Sequence, residues 1–373
     1  MYSLQDLLSV MAEAEASDLY VSMGAFPMLK ISGEVFPIEK EKLTAENLES
    51  LKQEMLSEEQ LEAYHADREL DYTLSLAGVG RFRINVFRQR GSDSFVVRSI
   101  VSEIKTLAQL DLPPILSELA LKDRGLILVV GSTGSGKSTT LAAMIDHRNT
   151  QKSGHILTLE DPIEFLHPHK KSLVNQREVG QDTHSFNKAL KSALREAPSV
   201  LLVGEIRDRE AMESALNFSE TGHLVFSTLH ATNTAQTIDR ILSFYDASEQ
   251  DLAQMQLSQN LLAIVAQRLI PMENGKLTAA LEILVSTARV RDLIQKGSVE
   301  LLPQAVRSGA SESMQLFDQA LYKLYKDKKI SEMTAVDAAD HPTDLKLMIS
   351  SSEKREPLRD INLLDDEKES QKD

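Results

Sequence analysis

The stretch Val129-Val-Gly-Ser-Thr-Gly-Ser-Gly-Lys-Ser-Thr-Thr-Leu-Ala-Ala143 decides the fold, because it places a glycine-rich loop between an apolar run and a helical pattern. Residues 131–138 match G-x-x-x-x-G-K-[ST] in full, with a predicted strand over 125–130 before them and a predicted helix to about 147 after them. The glycines let backbone N–H groups point inward, and the helix N-terminus adds partial positive charge. The sequence therefore predicts a loop that binds the phosphates of a nucleoside triphosphate.

The loop also predicts roles for individual side chains. In loops of this kind the lysine reaches the β- and γ-phosphates, and the hydroxyl that follows it ligates Mg²⁺. We therefore expect Lys137 to bind phosphate and Ser138 to bind Mg²⁺, with ATP and Mg²⁺ as the cofactors. The predicted nucleotide-binding residues are Gly131, Ser132, Thr133, Gly134, Ser135, Gly136, Lys137, Ser138 and Thr139.

Around the loop, apolar runs alternate with helical segments of ten or more residues. This alternation is typical of an α/β fold with a parallel sheet and crossover helices. After about residue 250 the pattern becomes mostly helical. The predicted strands of this part cover residues 125–130, 155–159, 199–203 and 223–228.

A small α+β domain is predicted before the loop. Its helical patterns cover residues 3–15 and roughly 44–64, and its strand patterns cover 18–23, 27–32, 71–76 and 80–88. A Pro-Pro pair at 113–114 fits neither a helix interior nor a central strand, so a linker is placed there. The predicted divisions are a first domain at 1–103, a linker at 104–114, an ATP-binding domain at 115–350 and a polar, disordered tail at 351–373.

Acidic residues follow two of the predicted strands. Glu160, Asp161 and Glu164 come after the run 156–159, and Glu205 ends the run 199–203 in the manner of a Walker B segment. Ligand-binding groups collect outside the carboxyl ends of parallel strands, so these carboxylates are placed near the phosphates. We expect Glu205 to hold the hydration shell of Mg²⁺. The alternative for any one of the first three is a solvated acidic loop.

Two histidines, His223 and His230, stand at the two ends of the predicted strand 223–228. Two histidines beside one strand favour a functional role over a structural one. Zinc binding is not expected, because the pair is seven residues apart and lacks an evident third ligand.

Arginines are concentrated at the end of the first domain. Strand alternation directs Arg81 and Arg83 to one face, and arginine stabilises the charge of a transferring phosphoryl group, from its own chain or a neighbour. A role of this kind predicts an oligomer with sites between subunits, and the alternative is a solvated basic strand face. The cluster consists of Arg81, Arg83, Arg88, Arg90 and Arg98.

Composition excludes several classes of protein. The net charge is −15, from 41 basic and 56 acidic side chains, so nucleic acid is not expected as a partner. Cysteine is absent, which excludes disulfides and thiolate zinc sites. The apolar runs are far shorter than a membrane span and a signal sequence is not evident, so we expect a cytoplasmic protein.

Four segments occur in the order and spacing of the Walker A, Asp box, Walker B and His box of the secretion ATPase superfamily. Over residues 1–350 the chain resembles the PilT/PilU twitching-motility ATPases of type IV pili. The segments are Gly131-Ser-Thr-Gly-Ser-Gly-Lys-Ser-Thr-Thr-Leu-Ala-Ala143, Thr158-Leu-Glu-Asp-Pro-Ile-Glu-Phe165, Leu202-Val-Gly-Glu-Ile-Arg207 and Thr221-Gly-His-Leu-Val-Phe-Ser-Thr-Leu-His230.

The resemblance implies a homo-hexameric ring of RecA-like domains, each preceded by a PAS-like domain. It implies a location at the inner membrane, on the cytoplasmic side of the pilus machine, contact with the pilus platform protein, and retraction driven by ATP hydrolysis. The residue roles that it implies are Glu164 as the catalytic glutamate, Glu205 as the Walker B glutamate, His223 and His230 as the His-box pair, and Arg83 and Arg98 as arginine fingers.

Within the superfamily, the absence of cysteine and a start directly in the PAS-like segment favour the retraction branch. The segment Arg289-Val-Arg291-Asp-Leu-Ile294 and the polar tail are closer to PilU, which implies a second retraction ATPase as a partner. The alternatives are a pilus-assembly or type II secretion ATPase, a RecA-like nucleic-acid motor, and a regulatory subunit that binds ATP without hydrolysing it.

Overall fold

The computed structural model describes residues 3–38, 41–100, 103–310 and 313–353, which form two sheets with helices around them. The tail predicted at 351–373 lies outside the described residues, except that 351–353 continue the last helix. In the described parts of the chain, no helix is both long enough and apolar enough to cross a membrane.

The N-terminal unit is a six-stranded antiparallel sheet in the order β3-β2-β1-β6-β5-β4, with helices packed on it. Its core includes Leu8, Leu19, Phe82 and Phe95, each almost fully buried. The predicted small α+β fold is therefore confirmed. Its elements are α1 (Leu4–Glu13), β1 (Asp18–Ser22), β2 (Met28–Ile31), β3 (Glu34–Pro37), α2 (Ala45–Met55), α3 (Glu58–Asp67), β4 (Glu69–Leu76), β5 (Gly80–Gln89) and β6 (Ser92–Ile100).

Two details of this unit differ from the prediction. The helical stretch 44–64 is two helices, because the Ser57 hydroxyl accepts from the backbone N–H of Gln60 and starts a new one. The unpredicted strand β6 lies between β1 and β5. The start of β6 is polar in sequence, so a strand was not predicted there. In the structure Asp93 is buried and accepts hydrogen bonds from Lys52 Nζ at 2.8 Å and Tyr64 Oη at 2.6 Å.

The second unit is a seven-stranded sheet in the order β13-β12-β7-β11-β10-β8-β9, parallel except for the edge strand β13. The predicted α/β class is confirmed. Its elements are α4 (Ile115–Ala120), β7 (Gly125–Val130), α5 (Lys137–Gln151), β8 (Gly154–Glu160), β9 (Ser172–Glu178), α6 (Phe186–Glu196), β10 (Val200–Val203), α7 (Arg209–Glu220), β11 (Leu224–Leu229), α8 (Thr234–Leu242), α9 (Gln250–Asn260), β12 (Leu261–Pro271), β13 (Leu277–Val285), α10 (Ala288–Gln295), α11 (Leu302–Ser308), α12 (Phe317–Lys326), α13 (Glu332–Ala338) and α14 (Pro342–Glu353).

The expectation of a mostly helical region after about 250 is wrong for residues 261–285, which form the hairpin of β12 and β13. A continuous apolar run such as 261–266 fits a buried strand and a buried helix equally well. Residues 261–266 are a strand and not a helix because they pair with β7 in parallel, with Ile264 opposite Leu128. Gly275, with φ of 78°, forms the turn that returns the chain.

Side chains of β7 alternate between two hydrophobic cores. Leu126, Leu128 and Val130 belong to the core on one face, while Ile127 and Val129 join the core that α5 covers on the other. The sheet is therefore buried on both faces, as parallel sheets usually are. Because β7, β8, β10 and β11 run parallel, their carboxyl ends meet at one edge, where a ligand can approach.

Candidate nucleotide site

A cleft of about 630 Å³ opens at this edge of the sheet. Seven of the nine predicted nucleotide-binding residues border it directly; Gly131 and Ser132 form the start of the same loop but not its lining. Of the predicted catalytic residues, the cleft gathers Glu164, Glu205, His230 and Arg83. His223 and Arg98 are not part of its lining.

The phosphate-binding loop connects β7 to α5, as the sequence predicts. Gly136 has a left-handed conformation, with φ of 85°, directly before the first helical residue. Lys137 Nζ donates to the carbonyl oxygens of Gly131 and Ser132, both at 2.9 Å. Burial lowers the pKa of Lys137, and the nearby carboxylates of Glu205 and Glu164 oppose that shift. The ammonium group is therefore held beside the loop, close to acids on the facing side of the cleft.

Gln267 on β12 supports the loop from behind. Its side-chain amide accepts from Thr140 Oγ1 and donates to the carbonyl oxygen of Ser135, both at 2.7 Å. A Cβ at Gly136 would lie 2.7 Å from Gln267 Nε2, so only glycine fits there without displacement. Gln267 was not among the predicted site residues, because its strand was expected to be helical.

Glu205 follows β10 and lies at the centre of a polar network. Its Oε1 is 3.1 Å from His230 Nε2, and its Oε2 accepts from Arg207 Nε at 2.7 Å. Arg207 also approaches Asp161 at 3.6 Å, which joins the ends of β8 and β10. The glutamate is thus oriented from both sides, and one of the two partners, Arg207, had been assigned no role from sequence.

Glu160 and Glu164 have different surroundings. Burial raises the pKa of Glu160, against hydrogen bonds from Thr158 and Gln176 that lower it. Glu164 is exposed at the border of the cleft. A glutamate open to solvent beside the phosphate loop can accept a proton from an attacking water, whereas the Glu160 carboxyl group is already bound by Thr158 and Gln176.

The two predicted histidines have different surroundings. Because β11 separates them, His223 and His230 lie at opposite ends of a strand, roughly 20 Å apart at ~3.3 Å per residue. His223 Nδ1 is 3.0 Å from the carbonyl oxygen of Phe218 and 3.1 Å from Thr221 Oγ1, and its ring packs edge-on against Phe218. In this chain His223 therefore supports the end of α7, and of the two histidines it is His230 that borders the cleft.

The predicted arginines also separate. Arg83 borders the cleft of its own chain, so it needs no neighbouring subunit to reach it. Arg98 lies opposite Arg83 on β6 and donates to Asp18 Oδ1 at 2.9 Å. Arg81 binds Glu178, a residue of β9 that the sequence analysis did not single out.

His167 also borders the cleft, and it is buried with no hydrogen-bond partner for Nδ1 among the described residues. Burial lowers its pKa to about 4, from an ordinary value of 6.5. The folded chain thus binds this proton less well than the unfolded chain, so stability is full above about pH 6.5 and falls as pH drops toward about 4.

We expect acid to destabilise the wild type more than a His167→Gln variant. By pH 5 the buried imidazole should cost about 2 kcal/mol, which the variant does not lose. Thermal midpoints of both proteins at pH 7.5 and pH 5 measure this, with His65→Gln as a control at an exposed histidine. Equal acid losses in wild type and His167→Gln would contradict the prediction.

Known proteins are similar to this chain over most of its length. The model of the family described as "Type II/IV secretion system protein" matches residues 72–344. The type IV pilus ATPase PilU of Pseudomonas aeruginosa is 45% identical over 346 residues, which cover 92% of this chain and 91% of that protein. The type IV pilus retraction ATPase PilT of the same organism is 42% identical, with 91% of this chain and 98% of PilT covered.

A solved structure is also similar over nearly the whole chain. The crystal structure of the pilus retraction motor PilT with bound ADP has a TM-score of 0.87 and 41% identity, and the match covers 93% of this chain and 100% of that one. The similarity thus extends over both sheets and includes the strands that border the cleft.

Proposed function

The chain belongs to the type II/IV secretion system protein family, within it to the PilT/PilU ATPases, and we propose that it is a motor that retracts type IV pili and drives twitching motility. The observation that carries the proposal is the convergence in one cleft of the phosphate loop, Glu164, Glu205 and Arg83. This set includes a phosphate binder, a base, a metal-holding carboxylate and a cation, which are the parts that phosphoryl transfer requires.

In the proposed reaction, Lys137 and the loop amides bind the β- and γ-phosphates of ATP. Glu164 orients and deprotonates the attacking water, and Arg83 stabilises negative charge on the transferring group. Glu205, held by His230 and Arg207, keeps its carboxylate directed at the phosphate side. Closing and opening of the first sheet over the cleft would convert the cycle into movement.

Magnesium fits the donors of the cleft. The Ser138 hydroxyl and the Glu205 carboxylate are hard oxygen ligands, which suit Mg²⁺ better than softer metals. These two residues would hold the ion, Glu205 through water. Mg²⁺ would supply positive charge that neutralises the phosphates.

The proposal extends to the assembly. A homo-hexameric ring at the inner membrane would contact the pilus platform protein, and a second retraction ATPase would be a further partner. PilT is described as a retraction motor, and that direction of work is what we propose for this chain.

The test is a count of surface pili, with twitching, in a deletion strain complemented with wild type or with Glu205→Ala. We expect more pili and loss of twitching in the deletion strain, reversed by wild type and not by Glu205→Ala. Asp123→Ala is the control, since Asp123 is exposed, makes an ion pair with Lys152 and is not part of the cleft lining. Deletion cells without pili would instead indicate an assembly motor and would overturn the proposal.

A further inference from the structure

A buried carboxylate, Glu178, connects the first sheet to the ATP-binding unit beside the cleft, where Gln181 Nε2 also donates to the carbonyl oxygen of Thr73 at 3.4 Å. Glu178 is the last residue of β9, is buried, and lies opposite Glu160 of β8. On its own unit it accepts from the backbone N–H of Ile163 at 3.2 Å. From the first sheet it accepts from Thr73 Oγ1, and from an Arg81 guanidinium nitrogen at 2.9 Å.

This contact is not an ordinary surface ion pair. The Glu178 side chain is 6% exposed and the Arg81 side chain 16%, so solvent screens the pair weakly. Both carboxylate oxygens are hydrogen-bonded, and the pair is charge-assisted, which fixes its geometry. Removing the charge would leave the Arg81 guanidinium buried without its counter-ion. Glu178 is therefore the charged part of the contact that positions β4 and β5 on the ATP-binding unit, and the Gln181 hydrogen bond to Thr73 is its neutral part.

The contact leads directly to the cleft along β5. Arg81 and Arg83 are two residues apart on this strand and so lie on the same face, while Phe82 between them points into the core of the first unit. Arg81 is held by Glu178, and Arg83 borders the cleft. Two neighbouring residues on one face of a paired strand keep a fixed relative position. Holding Arg81 in place therefore also fixes the position of the Arg83 Cα atom.

We infer that Glu178 is a positioning residue for ATP hydrolysis, which sets the place of Arg83 over the phosphates by holding Arg81 and Thr73. The inference rests on the proposed function, in which Arg83 stabilises the transferring phosphoryl group. Glu178 itself does not border the cleft, so its effect on the reaction passes through Arg83.

The test is a double-mutant cycle of Glu178→Gln and Arg83→Ala, read as steady-state ATP hydrolysis by the full chain. Misplacing a catalytic group by about 1 Å can cost up to ~10²-fold, so we expect Glu178→Gln to lower kcat about 10- to 100-fold. KM for ATP should change less than about twofold, because the phosphate loop is untouched. In the Arg83→Ala background, Glu178→Gln should lower kcat by no more than about twofold.

Two further variants control for general damage. Glu196→Gln breaks the ion pair with Arg177, the neighbour of Glu178 on β9, and should leave kcat near that of the wild type. Thr73→Val removes one hydrogen bond to Glu178 and keeps the ion pair between Glu178 and Arg81, so it is a smaller change than Glu178→Gln. Its smaller loss should also vanish in the Arg83→Ala background, which preserves the test if Glu178→Gln folds poorly by circular dichroism.

The remaining outcomes would each overturn either the inference or the proposed function. Multiplicative losses in the double variants would overturn the inference, because Glu178 would then act independently of Arg83. An unchanged or increased kcat in Glu178→Gln would overturn it as well, the increase meaning that the contact opposes closure. If Arg83→Ala hydrolyses ATP as fast as wild type, the assigned role of Arg83 fails, and with it this inference. A wild-type chain without hydrolysis would overturn the proposed function itself.

Discussion

Replacing Lys137 by alanine is expected to lower kcat/KM for ATP about 10²- to 10³-fold, as removal of a preorganised donor at a developing negative charge usually does. Lys137 is the first residue of α5, and its ammonium group is held at the loop by the carbonyl oxygens of Gly131 and Ser132. Removing it takes away the one charged side chain of the loop itself that binds the phosphates in the proposed reaction. Hydrolysis rates across ATP concentrations, with binding of a fluorescent ATP analogue, measure the loss.

The matched control for that variant is Lys152→Ala. Lys152 lies at the other end of α5 and makes an ion pair with Asp123 at the surface. Its removal should change kcat/KM less than about twofold, because its contacts with Asp123 and with the carbonyl oxygen of Leu121 lie outside the cleft lining. Equal losses in the two variants would mean that α5 is sensitive to any change, and the phosphate-binding role of Lys137 would lose its support.

Glu164→Gln is expected to lower kcat about 10²- to 10⁴-fold, the usual contribution of a general base, while ATP binding stays near that of the wild type. The amide has nearly the shape of the carboxylate but cannot accept a proton from water. Glu164 is exposed at the border of the cleft, so the substitution removes no buried contact and the fold should be unchanged. Single-turnover hydrolysis beside equilibrium binding separates the two effects.

Glu160→Gln is the comparison that tests which acid is the base. Glu160 also borders the cleft, but burial raises its pKa and Thr158 and Gln176 bind its carboxyl group. We expect its substitution to cost less than that of Glu164. A larger loss for Glu160→Gln, with activity retained in Glu164→Gln, would move the base to Glu160.

Much of the ATP-binding unit could be predicted from sequence, because short-range patterns specify it. The glycines at 134 and 136, the lysine and the preceding apolar run determine a strand, a loop and a helix without help from the rest of the chain. The other apolar runs determine parallel strands, and carboxylates that follow two of them must meet at one edge. Glu164, Glu205 and the loop residues that border the cleft were found in this way.

The errors occurred where a choice depends on distant partners. Residues 261–266 become a strand because β7 offers an unpaired edge, and only that pairing brings Gln267 behind the loop. The start of β6 is polar in sequence. It can be part of a buried strand because Asp93 is paired with Lys52, which lies on a helix 41 residues earlier. Neither partner is visible in a local window of sequence.

The sequence by itself determined that this chain binds nucleotide phosphates on a parallel sheet, since that capacity resides in one continuous loop and the strand before it. Only the tertiary structure decided which distant residues serve that loop. It placed Gln267 behind the loop, brought Arg83 into the cleft of its own chain, and buried Glu178 against Arg81. The physical reason is that side-chain chemistry is local, whereas strand order and domain docking, which set the distances between side chains, depend on contacts summed over the whole chain.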